Sequence, residues 1–307
     1  MPPTALIVAP YAKRGLHAAG SALALAGMLF VGLHLHEYWL KIDLPRMSLA
    51  GWSAIACLAL AYGGASCLLA LAWWHLLTHW GVAVSRLRAI RLYGLSNLAK
   101  YVPGNIVHLA GRQALGMAAG ISARLLARSM FWELGLIAMA GTLFCWMMLP
   151  RWLPGLSAQA GLALAVFSAA LLAAALRKFA GRQVMVAFLW QVLFLLISGV
   201  IFVGLIAILR DNASVPLRDW LPIVGAYIVA WLAGLVTPGA PAGAGVREML
   251  LLFLLKNIVP EENLIVAILL GRLVTVAGDL IFFVISLSIP PPSSLSSKKY
   301  AKQTKME

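Results

Sequence analysis

Residues 184–209 read VMVAFLWQVLFLLISGVIFVGLIAIL, and no Asp, Glu, Lys, Arg or His interrupts them. The run exceeds the ~20 apolar residues that carry a helix across a ~30 Å hydrocarbon core. It therefore predicts a membrane-spanning helix. Working outward, further runs of comparable character lie at 16–35, 52–76, 126–149, 157–176 and 264–289. Together they predict an all-α integral membrane protein with about six full transmembrane helices. Composition agrees: the 307 residues are 62% hydrophobic and only 11% charged. A soluble domain needs roughly 25% charged residues to cover its surface.

The net charge of +14 raises the possibility of nucleic acid. The placement of the basic residues excludes it, because they sit in short segments flanking the apolar spans. With the N-terminus inside, the cytoplasmic segments hold 14 of the 24 basic residues, among them Lys13, Arg14, Arg86, Arg88, Arg91, Arg124, Arg128, Arg177, Lys178 and Arg182. The outer segments hold six, Lys41, Arg46, Arg151, Arg210, Arg218 and Lys256. These are offset by Glu37, Asp43, Asp211, Asp219, Glu261 and Glu262. The positive-inside rule then puts both termini in the cytoplasm. Lys13 and Arg14 precede a first apolar run too long for a signal-peptide core, so 16–35 reads as an uncleaved span. The tail 290–307 is polar and basic and reads as disordered.

Two more apolar stretches, 92–120 and 220–258, are broken internally. The first break is Pro103-Gly104, and the second is Thr237-Pro-Gly-Ala-Pro-Ala-Gly-Ala-Gly245. Unpaired backbone facing lipid costs several kcal/mol per group, so such breaks must be buried in protein or line a wet cavity. Each stretch is therefore expected to be a re-entrant helical hairpin. In both, an Arg follows the Pro by nine residues, Arg112 after Pro103 and Arg247 after Pro238. Each hairpin precedes a span with a basic and then an acidic residue, Arg128 with Glu133 and Arg272 with Asp279. This predicts an inverted repeat with halves at about 16–149 and 157–289, within one transmembrane domain spanning 1–289. Broken helices that meet near the midplane are a recurring transporter architecture.

Ionisable groups at membrane depth are costly, so each is a candidate for function. They are Lys100, Arg112, Arg247 and Arg272, with Glu133, Glu248 and Asp279. Lys100, Asn105, Arg112, His108 and Arg247 are candidates to bind an anion, because a helix N-terminus and an Arg fork both favour phosphate oxygens. Gly104, Gly243 and Gly245 would let a ligand approach backbone. Glu133, Glu248, Arg272 and Asp279 are candidates for coupling or ion pairing, with Arg247–Glu133 and Arg272–Asp279 as the structural pairings considered. No metal or cofactor is expected. His75 and His79 lie one turn apart, but no carboxylate or Cys joins them. His34 and His36 with Glu37 read as a wet loop. Cys57, Cys67 and Cys145 read as packing residues. With no nucleotide-binding loop and no Ser/His/Asp arrangement in a credible context, enzymatic activity is not expected.

The two broken segments also carry a resemblance. Lys100-Tyr-Val-Pro-Gly-Asn-Ile-Val-His-Leu-Ala-Gly-Arg112 resembles the KY-hydrophobic-PG…R motif of the lysylphosphatidylglycerol synthase transmembrane-region family. Pro241-Ala-Gly-Ala-Gly-Val-Arg-Glu248 resembles that family's P-G-G-x-G-x-R-E motif, with Ala242 in place of the first Gly. The likeness spans roughly residues 15–290. It implies a flippase-like domain and a membrane-lipid substrate, namely an anionic phospholipid or polyprenyl-phosphate-linked lipid. Because the sequence stops at residue 307, the aminoacyltransferase of bifunctional members is expected to be a separately encoded partner enzyme. The alternatives are a secondary transporter of a small anion, or a non-transporting subunit of an envelope glycosyltransferase system.

Overall fold

A computed structural model describes residues 48–101, 107–153, 155–210, 215–237, 243 and 245–290. The expected span 16–35, the loop with His34, His36 and Glu37, the residues Gly104 and Asn105, and tail residues 291–307 lie outside these. All regular structure among the described residues is helical.

We number the main helices α1 Leu49–His79, α2 Arg86–Asn97, α3 Val107–Ala118, α4 Ala123–Leu143, α5 Ala158–Phe179, α6 Arg182–Leu209, α7 Leu217–Val236, α8 Val246–Leu255 and α9 Glu261–Ser288. A 3₁₀ turn, Leu98–Tyr101, extends α2. Short turns at Cys145–Met148 and Leu149–Arg151 extend α4. Serines start three of the helices. The Ser48 hydroxyl accepts from Gly51 N–H at 3.2 Å, Ser85 from Arg88 N–H at 3.3 Å, and Ser157 from Ala160 N–H at 3.1 Å. Each satisfies one of the donors that a helix start leaves open.

Six helices are long and apolar enough to cross a membrane: α1, extended α4, α5, α6, α7 and α9. Five of these fall on spans expected from sequence. The sixth, α7, was expected to be one arm of a broken hairpin. It runs unbroken to Val236, with Pro222 inside it, because the dense Pro and Gly cluster begins only at Pro238. Helices α2, α3 and α8 are different. At 12, 12 and 10 residues they rise about 15–18 Å, short of the hydrocarbon thickness.

Helices α1, α6 and α9 pack on one another at the centre of the bundle. In α9, 61% of the span window is buried, against 17% in α5, so α9 is central and α5 peripheral. Leu162, Val166, Phe167 and Leu171 of α5 are exposed and suited to lipid. The α1–α9 crossing is backbone on backbone. A Cβ on Gly278 would lie 2.8 Å from the Ala59 carbonyl, and one on Gly63 would lie 2.8 Å from the Gly278 carbonyl. Small residues permit such close approach where helix packing must come from van der Waals contact. Arg91 of α2 reaches the last turn of α9, donating to the carbonyls of Leu287 at 3.1 Å and Ile289. Those carbonyls have no partner within the helix.

The segments α2–3₁₀–α3 and α7–α8 each fold back on themselves and pack against the central helices. Gly243, with φ of +71°, sits where a Cβ would come within 2.6 Å of the Gly234 Cα. Helix α8 thereby approaches α7 at backbone distance and brings Arg247 inward.

Candidate anion site in the bundle

Helix α2 and its 3₁₀ turn carry Tyr93, Asn97, Lys100 and Tyr101. Spacings of four and three to four put them on one helix face. That face meets α9 and α4. Asp279 of α9 is fully buried and held by three donors: Lys100 Nζ at 2.8 Å, Asn97 Nδ2 at 2.7 Å and the Tyr101 hydroxyl at 2.5 Å. Glu133 of α4 receives Arg112 bidentately, at 3.0 Å and 2.6 Å, and the Tyr93 hydroxyl at 2.9 Å. Arg112 also lies over the rings of Tyr93, at 4.4 Å, and Trp73, at 5.2 Å. Gln191 of α6 anchors this turn of α4 by donating to the Glu133 carbonyl at 3.1 Å.

The second broken segment and the span after it also form an ion pair, with the charges exchanged. Glu248 of α8 accepts from Arg272 Nε of α9 at 2.5 Å. Its other oxygen accepts from Gly245 N–H at 2.7 Å, a capping interaction that closes the start of α8. Thus Arg112 of α3 pairs with an acid on the following span, and Glu248 of α8 pairs with a base on the following span. The pairings considered from sequence, Arg247–Glu133 and Arg272–Asp279, are not among the described ion pairs. Nearer partners hold both acids: Arg112 holds Glu133 and Lys100 holds Asp279.

Arg247 is the exception. It is only 6% exposed, and its guanidinium lies 4.5 Å over the Tyr227 ring. No carboxylate lies within 4 Å of it among the described residues. Tyr227 stands 20 residues before Arg247 and Tyr93 stands 19 before Arg112. In each case the arginine after a break covers a tyrosine in the helix before it. One of the two arginines also has a carboxylate.

A cavity of about 110 Å³ opens where these elements meet. Lys100, His108, Glu133, Arg247 and Arg272 line it, together with Tyr62, Tyr93, Tyr101, Trp231 and an apolar wall of Leu134, Ile137 and Leu235. Both broken segments therefore contribute to one space. Arg112 does not line it and stands behind Glu133. Asp279 is likewise behind Lys100 and Tyr101. Glu248 borders a smaller adjoining cavity with Arg247, Arg272 and Tyr227. Gly243 supports the α7–α8 contact, and Gly245 caps α8. The residues that sequence reading passed over are Tyr62, Tyr93, Asn97, Tyr101, Tyr227 and Trp231. The polar stripe 93–97–100/101 was the readable signal. Among the described residues no group of three His, Cys, Asp or Glu is placed to hold a metal.

Charge bookkeeping follows from the pairs. Four cations, Lys100, Arg112, Arg247 and Arg272, meet three carboxylates, Glu133, Glu248 and Asp279. Among the described residues one positive charge is left over, at the cavity wall. Compared with protein-family models and with curated proteins, the chain matches none.

Proposed function

We propose that this protein is a flippase-like carrier of the bacterial inner membrane, moving an anionic lipid headgroup through the bundle while its acyl or prenyl tails stay in hydrocarbon. Arg247 is the observation that carries this reading. A desolvated cation without a carboxylate costs ~2.5–3.5 kcal/mol on insertion scales. A single anion entering the cavity would relieve that cost, and a guanidinium suits phosphate oxygens in particular. The likeness of the two broken segments to the lysylphosphatidylglycerol synthase transmembrane region supports a lipid rather than a soluble ion. So does the apolar wall of Leu134, Ile137 and Leu235, which offers a side for tails. Under this reading Arg247, Lys100 and His108 face the headgroup. Arg112 orients Glu133 instead of binding the substrate. A separately encoded enzyme would supply the lipid.

The reading includes a topology. The segments α2–α3 and α7–α8 are re-entrant hairpins of an inverted repeat, entering from the cytoplasm and from outside respectively, with both termini cytoplasmic. Support comes from the short helices α2, α3 and α8, the recurring Tyr-under-Arg arrangement, and the basic inner loops. A cysteine at Lys256 tests it in a background without Cys57, Cys67 and Cys145. Labelling from outside is expected if α7–α8 returns to its side of entry. Labelling from the cytoplasm would mean that α7 crosses alone, and would overturn the repeat.

For function, purified protein in proteoliposomes is given tail-labelled phosphatidylglycerol, and dithionite accessibility reports leaflet exchange. Wild type is expected to exchange lipid, and Arg247→Gln to fall to the protein-free rate. Equal rates for the two would remove Arg247 from the mechanism. Uptake of soluble phosphate with no lipid exchange would favour the small-anion carrier.

A further inference from the structure

The cavity offers more than a cation. Tyr62 is 3% exposed and borders the cavity, yet its hydroxyl has no hydrogen-bond partner among the described residues. Trp231, half-buried, also borders it, and its indole N–H has no hydrogen-bond partner among the described residues. His108 borders the cavity with a buried Nδ1 that lacks a partner among the described residues, and a turn about χ2 would present it to a ligand. Polar groups inside proteins are overwhelmingly hydrogen-bonded, so three open ones around one space mark what a ligand can satisfy. A bare phosphate on Arg247 leaves most of them unmet.

The same space is unfavourable to a second positive charge. Its lining carboxylate, Glu133, already accepts from both Arg112 nitrogens and from Tyr93. Among the described residues the surplus charge of the buried groups is positive. An ammonium group would find no open acceptor of opposite charge and would face Arg247 and Lys100 at low dielectric.

We infer that the cavity selects a phosphodiester whose substituent is uncharged and hydroxylated, a polyol or sugar, over one that carries an ammonium group. This rests on the reading of the cavity as an anion site and adds its selectivity. The phosphodiester oxygens take Arg247. The substituent's hydroxyls take Tyr62, His108 and Trp231, whose rings also provide apolar faces for C–H groups.

Binding, rather than transport, tests the inference, so that a failure to flip lipid leaves it standing. Purified full-length protein is incubated with equal amounts of phosphatidylglycerol, phosphatidylmethanol and phosphatidylethanolamine, and bound species are counted by native mass spectrometry. Phosphatidylmethanol keeps the charge of the glycerol lipid and lacks its hydroxyls. The glycerol lipid is expected to exceed each of the others by about tenfold, the scale of one net hydrogen bond to a buried group. Tyr62→Phe and His108→Phe should each lower the ratio of glycerol to methanol lipid several-fold. A water-soluble glycerophosphoglycerol arm identifies the source of the ligand. Competition by it at the affinity of the lipid would mean that the tails contribute nothing. The selectivity is overturned if phosphatidylethanolamine binds as well as phosphatidylglycerol, or if both Phe variants keep the wild-type ratio. If Arg247→Gln binds all three lipids like wild type, the underlying anion site is wrong instead.

Discussion

Arg112 and Arg247 occupy matching places in the sequence and make different contacts, one with a carboxylate and one over a tyrosine ring, so the proposed function gives them different work. The distinction can be tested with a double-mutant cycle on Arg112 and Glu133. Both side chains are buried, at 5% and 6% exposure, and they share a bidentate contact at 2.6 Å and 3.0 Å. Removing one partner of a buried pair leaves an uncompensated charge and costs ~3–5 kcal/mol. Replacing both with apolar groups of similar volume is often neutral or stabilising by ~1–4 kcal/mol. Arg112→Met and Glu133→Leu should therefore each destabilise by about 3–5 kcal/mol, and the double variant by about 1 kcal/mol or less, a coupling of at least ~5 kcal/mol. Equilibrium unfolding in mixed micelles, followed by the fluorescence of the 11 tryptophans, reads the stabilities. Anion binding by the double variant reads the site. It should persist, because Arg112 stands behind Glu133 and does not line the cavity. A double variant destabilised by the sum of the singles would refute the pair. A folded double variant that loses anion binding as completely as Arg247→Gln would refute the division of roles and restore a two-arginine site.

Other expectations follow from single contacts. Tyr101→Phe removes a hydrogen bond to the buried Asp279 carboxylate and should cost ~1.5–3 kcal/mol in the same unfolding assay, whereas Asp279→Ala should cost more by stranding Lys100. Gly278→Val places bulk against the Ala59 carbonyl and Gly63. It should lower stability by ~1–3 kcal/mol or abolish folded yield on size-exclusion chromatography, and a wild-type profile would contradict the close α1–α9 crossing. Arg91→Ala frees the last carbonyls of α9. Faster amide exchange should follow over residues 284–289, with little change in the centre of the helix.

The legible part of the fold was its one-dimensional part. The stretch 184–209 could be read as a span because crossing a bilayer needs only length and apolarity, and the positions of Glu133, Arg272 and Asp279 inside such runs marked them as exceptional. Which charges meet was not legible. Lys100 and Asp279 are 179 positions apart, and only the packing of α2 on α9 joins them. The same packing explains why Arg272 turns to Glu248: Asp279, one span residue expected to answer it, is already taken. His108 and Arg112 illustrate a finer limit. They are one turn apart on α3, a spacing that puts side chains on one helix face, yet His108 lines the cavity and Arg112 does not. A helical wheel resolves a face to about a quarter turn, and the cavity wall is narrower than that. Helix α7 is absent from the expected spans for a simpler reason: the apolar stretch 220–258 reads as one broken unit, and its first arm, Leu217–Val236, is by itself long and apolar enough to cross.

The ion pairs around the cavity are unevenly distributed, and this gives the protein a mechanical grain. Lys100–Asp279 ties the α2 turn to α9, Arg272–Glu248 ties α9 to α8, and Arg112–Glu133 ties α3 to α4. Pulling any of these apart would strand a desolvated charge. Among the described residues no ion pair joins α4 to α7, whose facing side chains at the cavity are Leu134, Ile137, Trp231 and Leu235. Lipid tails can replace one apolar contact there with another at little cost, since hydrocarbon is as apolar as leucine. The bundle is therefore riveted along these three seams and greasy between α4 and α7, where a guest with a long apolar tail could part the two helices without breaking any described ion pair between them.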